Sequence, residues 1–127
     1  MNPLLDTHAL IWFAEADNRL SSKAKDAIEL QSNVRFVSIA SFWEMAIKAS
    51  LGKLNLSRPL ADIITETEAN GFDLLPVTSS HVLCIEKLPY LHRDPSDRVL
   101  VCQANTENLV LVSNEALFDA YGVTRLW

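Results

Sequence analysis

The run Leu109-Val110-Leu111-Val112 is apolar without interruption, and its length and branching read as a strand buried on both faces. A strand covered twice needs a layer of structure on each side, and the rest of the sequence supplies the material. Pro3-Leu4-Leu5 leads into Asp6 and a helical stretch from His8 to Ala14. Leu20-Ser21-Ser22 reads as a cap, opening a second helix that runs to about Leu30. Val34 to Val37 is a short β-branched and aromatic strand, after which Ser38 opens a strongly apolar helix through Phe42, Trp43 and Ile47 that ends at Gly52. A loop at Lys53 to Ser57 follows. Pro59 then stands where the first turn of a helix tolerates it, and that helix runs to about Ala69, with Asn70-Gly71 as its stop.

Phe72 to Val77 reads as another strand, Ser79 or Ser80 as the cap of a helix through Val82, Leu83 and Ile85, and Leu88 to Arg93 as a loop. Pro95 to Asn105 is helical, Ala116 to Tyr121 a short helical turn, and Val123 to Trp127 a last strand. Strands alternating with helices predict parallel pairing through right-handed crossovers. The expectation is an α/β fold with helices on both faces of a short central sheet. With no repeat, low-complexity segment or linker in view, residues 1–127 are expected to form one domain.

Composition narrows the class. The opening residues lack a basic region and Asp6 breaks the first apolar run, so neither a signal peptide nor a membrane span is expected, and cytoplasm is the default. Cys84 and Cys102 stand singly in helical stretches, without a CxxC or Cys/His cluster. That pattern argues against zinc and predicts two buried thiols in a reducing compartment. The formal net charge of −5 is a poor match to nucleic acid, which normally meets a basic face. Bound divalent ions reverse such a local field, so acidity does not exclude a nucleic-acid substrate if metal binds first.

In open α/β sheets the functional site lies beyond the carboxyl ends of the strands. Four acids fall there: Asp6, Glu44, Asp97 and Glu115. Each has an ordinary structural role available. Asp6 can cap the helix that follows it. Glu44 can pair with Lys48 one turn on, a contact that suits a surface position better than a buried one. Asp94 before Pro95 is a good cap, and Asp97 sits at the acidic position of a capping box. Glu115 can face a helix dipole. Jointly the acids are harder to dismiss, because several carboxylates at one point stay ionised only with a cation. Hard oxygen ligands select Mg²⁺ or Mn²⁺, and two such ions serve phosphodiester hydrolysis.

Four stretches carry a family resemblance. Leu5-Asp6-Thr7-His8-Ala9-Leu10-Ile11-Trp12 resembles the opening of PIN-domain ribonucleases of the VapC toxin type. Ser41-Phe42-Trp43-Glu44-Met45-Ala46-Ile47-Lys48 is similar to their second acidic motif, and His92-Arg93-Asp94-Pro95-Ser96-Asp97-Arg98 to their third. Leu111-Val112-Ser113-Asn114-Glu115, with Phe118 to Val123, is similar to their closing segment. The resemblance implies a three-layer α/β/α PIN-like fold and Mg²⁺-dependent cleavage of RNA, with Mn²⁺ as a substitute. It also implies a homodimer silenced by a cognate antitoxin, with DNA met only through that antitoxin.

Carried onto this chain, the resemblance makes Asp6, Glu44 and Asp97 metal ligands. Asp94 becomes a nearby acid or cap, and Thr7 and Ser113 hydroxyls that orient ligands or water. Many relatives carry Asp after the last buried strand, where this chain has Asn114 and Glu115, with Asp119 one turn on. Arg93, Arg98, Lys48 and Lys53 are candidates for touching an RNA backbone. The rival readings are a PIN-shaped binding module without catalysis and a phosphoacceptor signalling domain. The latter wants paired acids after the first strand and a closing Lys, and this chain has neither.

Overall fold

Side chains alternate across a strand with period two, so neighbouring residues of a central strand feed opposite faces of its sheet. Leu4 and Leu5 do this in a computed structural model that describes residues 1–127. They belong to β1 (Pro3–Leu5), the middle of five parallel strands in the order β3-β2-β1-β4-β5. The partners are β2 (Phe36–Ser38), β3 (Asp73–Leu75), β4 (Val110–Val112) and β5 (Arg125–Leu126). Leu5 pairs in register with Val37 and Val112, and Leu4 with Phe36 and Leu111.

One face carries Leu5, Val37 and Val112. It packs against α1 (Thr7–Ala14), α2 (Ser22–Glu29), α3 (Ile39–Ser50) and α4 (Leu60–Ala69) through Leu10, Trp12, Ile28, Phe42, Met45 and Ile63. The other face carries Leu4 and Leu111 and meets α6 (Pro95–Thr106) and a 3₁₀ turn (Ala116–Tyr121) through Leu100, Val101, Ala104 and Phe118. The expected α/β/α layering is present, with α5 (Ser79–Lys87) packed along α6.

The element borders depart from expectation where local chemistry decides. The third strand stops at Leu75 because Pro76 has no N–H to extend the ladder. The cap of α5 is Thr78 rather than Ser79 or Ser80. Its hydroxyl accepts from the His81 N–H while the His81 ring accepts from the Thr78 N–H, a reciprocal pairing neither serine forms. Pro59 is the residue before the first turn of α4. The last strand is confined to Arg125–Leu126, after a left-handed turn at Gly122 (φ 77°).

The cysteine expectation is corrected outright: Cys84 and Cys102 form a disulfide between α5 and α6, with Cα atoms 5.8 Å apart. Single cysteines on two helices give no sign of pairing until antiparallel packing brings the helices together. No helix is long and apolar enough to cross a membrane.

Candidate metal centre

The parallel registers align the carboxyl ends of β1, β2 and β4, so that Asp6, Ser38 and Ser113 follow the sheet at one edge. Asp6 caps α1, accepting the Ala9 N–H on Oδ1 at 2.8 Å, and is 5% exposed. Burial pushes its carboxyl up, with partial relief from the Ser113 hydroxyl and the Ala9 amide. Ser113, fully buried, also accepts the Glu115 N–H at 3.0 Å, so one hydroxyl serves the neighbourhood of two acids.

Glu44 projects from the middle of α3 and is buried. Its Oε1 accepts the Thr7 hydroxyl at 2.8 Å and the Ser96 hydroxyl, and its Oε2 pairs with Lys48 Nζ. Thr7 follows Asp6 in the chain and Ser96 precedes Asp97, so Glu44 ties the start of α1 to the start of α6. Burial alone would raise its carboxyl, but the bonds from Lys48, Ser96 and Thr7 outweigh that and hold it below the ordinary value. The i, i+4 pair with Lys48 expected as an ordinary role is therefore present, buried on the Glu44 side and half-exposed at Lys48, and reinforced by two hydroxyls.

Asp97 is in the opposite condition. The capping box does not form around it: Asp94 caps α6 through the Ser96 N–H at 3.0 Å, and its Oδ1 lies 2.7 Å from the Ser96 hydroxyl, whose single proton it shares with Glu44. Burial, followed by the charges of Asp94, Glu115, Glu44 and Asp6, pushes the Asp97 carboxyl up to about 7. Four acids from separate stretches of the chain are thus close enough to repel it. Lys48 stands opposite them, its ammonium held protonated first by Glu44 and also by Asp94 and Asp97.

His92 is the member to which sequence reasoning gave no role. It is 5% exposed, and its ring nitrogen lies with oxygens of Asp97 and Glu115 in a group whose ligand atoms are all within 4.8 Å of one another. Its only sequence signal was its place at the head of the His92–Arg98 stretch. The arginines of that stretch part ways. Arg98 turns toward α5 and the preceding loop, donating to the carbonyls of Ile85 and Pro89 (3.2 Å each) and packing over Tyr90. Arg93 is exposed, and with Lys48, Lys53, Trp43 and Ile47 it lines a groove of about 440 Å³ that reaches Glu44 and Asp94.

The donor set fits a divalent cation. Buried and half-buried carboxylates outnumber the cations facing them, Asp97 is driven toward neutrality by burial and by the rest, and a buried ring nitrogen lies close to two of their oxygens. The model of one family, the PIN domain, matches residues 4–123. The chain belongs to the PIN domain family.

No curated protein matches the sequence. Among solved structures, this PIN domain superposes on a chain of VapBC2 from Rickettsia felis, bound to a DNA fragment from its promoter. The TM-score is 0.72 at 15% identity, over 98% of this chain and 97% of that one. It superposes on a chain of VapBC-1 from nontypeable Haemophilus influenzae with a TM-score of 0.69 at 20% identity, over 98% and 96%. A chain of FitAcB from Neisseria gonorrhoeae gives 0.59 at 15% identity, over 97% and 95%. At these identities the likeness is one of fold.

Proposed function

We propose that this PIN domain is a divalent-metal-dependent endoribonuclease, the toxin of a type II toxin–antitoxin pair. The observation that carries the reading is Asp97: a carboxyl raised to about 7 by burial and by four acids from different parts of the chain. A divalent cation relieves that repulsion better than any protein group nearby.

Asp6, Asp97 and Glu115 offer oxygens to the ion. Glu44 holds the frame from behind, its carboxylate occupied by Thr7, Ser96 and Lys48, and lends negative charge or a water-bridged contact. When bound there, Mg²⁺, or Mn²⁺ in its place, would supply Lewis-acid activation of a water and charge neutralisation at a phosphodiester. Lys48, Lys53 and Arg93 line the groove beside the acids and are placed to meet backbone phosphates there. The products expected for such hydrolysis in this family are a 5′-phosphate and a 3′-hydroxyl.

The paired names of the VapBC and FitAcB structures, one of them bound to a promoter DNA fragment, support a cognate antitoxin as partner with DNA met through it. We further propose that the chain works as a homodimer in the cytoplasm. The test is cleavage of defined RNAs by the purified chain. Cleavage should require Mg²⁺ or Mn²⁺, stop with chelator, and vanish in a folded Asp97→Asn variant. Cleavage that persists in Asp97→Asn would refute the mechanism. A folded, metal-loaded wild type that cleaves no RNA would point to the binding module instead.

A further inference from the structure

His92 is held too firmly for a loop histidine, and its Nε2 has no hydrogen-bond partner. The side chain is 4% exposed, and its ring stacks on Phe118, centroids 4.5 Å apart, and on Tyr121 at 5.4 Å. Tyr121 Oη accepts the His92 backbone N–H at 2.9 Å and lies 2.9 Å from Nδ1. One ring nitrogen is therefore satisfied. The other, Nε2, is buried and unpartnered. A Glu115 oxygen lies 3.1 Å away, but off the direction an Nε2–H would take, so the contact is close without being a hydrogen bond.

A polar nitrogen kept dry and unpaired costs free energy unless something else occupies its lone pair. The spacing shows what fits. Two ligands at right angles around an octahedral ion, each ~2.1–2.2 Å from it, are about 3 Å apart, and opposite ligands are about 4.3 Å apart. The His92–Glu115 separation matches the first, and the full group with Asp97, all within 4.8 Å, nearly meets the second. Metal-bound histidines characteristically donate their other ring N–H to a fixed acceptor, and Tyr121 Oη is such an acceptor.

We propose that His92 Nε2 is a metal ligand, joining one oxygen each of Asp97 and Glu115 in a mixed nitrogen–oxygen seat that favours a first-row transition dication such as Mn²⁺ over Mg²⁺. The inference rests on the metal-dependent reading above and deepens it. Mg²⁺ is held through carboxylates and waters, so an imidazole in the set favours transition ions. Glu115 keeps its place as an oxygen donor, on a backbone whose N–H is held by Ser113.

The test is Mn²⁺ titrated into the full chain and followed by pulsed electron paramagnetic resonance, which reads ¹⁴N coupling from a bound imidazole. The chain has three histidines. His81 has both ring nitrogens engaged, by the Thr78 N–H and by Glu107, which leaves the exposed His8 as the competitor. Nitrogen coupling should be present in wild type, persist in His8→Ala and disappear in His92→Gln, with Mn²⁺ binding at least about tenfold weaker and Mg²⁺ binding little changed. If His92→Gln does not fold, His8→Ala decides alone, because coupling there comes from His92. Mn²⁺ binding without nitrogen coupling in wild type, or coupling lost in His8→Ala, would overturn the assignment and leave the carboxylate site standing. A wild type that binds no Mn²⁺ would remove both.

Discussion

Glu44, buried, and Asp97, half-buried, are acids at one sheet edge, yet the protein treats them oppositely. Glu44 on α3 is met by an ammonium and two hydroxyls and held below its ordinary value. Asp97 on α6 meets chiefly other carboxylates and is pushed up to about 7. The difference shows that convergence of acids does not itself make a cation site. What marks one is a carboxylate whose charge the protein leaves uncompensated. Glu44 serves as the frame of the cluster and Asp97 as its point of demand.

The largest effect should separate catalysis from folding on the Asp97 side. Asp97→Asn removes a carboxylate the protein cannot itself neutralise, so RNA cleavage should fall on the order of a thousandfold while circular dichroism shows an intact fold. A drop below tenfold would erase the distinction.

Next in size is the disulfide, which closes the chain between Cys84 and Cys102 around the whole segment from His92 to Asp97. Replacing both cysteines with Ala should cost about 3 kcal/mol in denaturant unfolding for a loop of this length. Hydrogen exchange should rise at the Asp97 end of α6 and stay unchanged around Glu44. Equal loosening on both sides would contradict the division.

Glu44→Gln should then destabilise the protein by ~1.5–3 kcal/mol, since hydrogen bonds to a charged acceptor are lost and Lys48 is left without its partner. Asp97→Asn, in metal-free protein at pH 8, should instead stabilise it.

The smallest effect is in pH. A carboxyl raised from 3.8 to about 7 makes the folded state hold its proton longer than the unfolded chain. Its contribution is complete below pH 4 and lost as pH rises toward about 7. Asp6 is raised in the same direction, whereas Glu44 is lowered and contributes above about pH 4.5, losing that as pH falls. Metal-free wild type should therefore lose melting temperature from pH 5 to 7.5, and Asp97→Asn much less. A flat wild-type profile would contradict the raised carboxyl.

Local chemistry made much of this legible. The alternation of apolar runs and amphipathic helices announces a parallel sheet with two covered faces, and Leu109–Val112 marks its interior. Asp6 and Asp94 stand where caps belong, and both cap. Other features depend on contacts between distant residues and leave no local trace. Thr78 wins the α5 cap only because the His81 side chain folds back onto it. The Cys84–Cys102 bond requires α5 and α6 to pack face to face. His92 acquires its role from Phe118 and Tyr121, nearly thirty residues on, which fix the ring. Arg98 reads as a candidate for RNA and is held by carbonyls at the end of α5 and in the loop after it.

The most direct measurement is anomalous diffraction from crystals of the metal-free protein soaked in Mn²⁺. A manganese peak enclosed by Asp6, Asp97 and Glu115, absent from Asp97→Asn crystals, is the expected result. Density at saturating Mn²⁺ that is empty there, with those carboxylates turned apart into solvent, would contradict it.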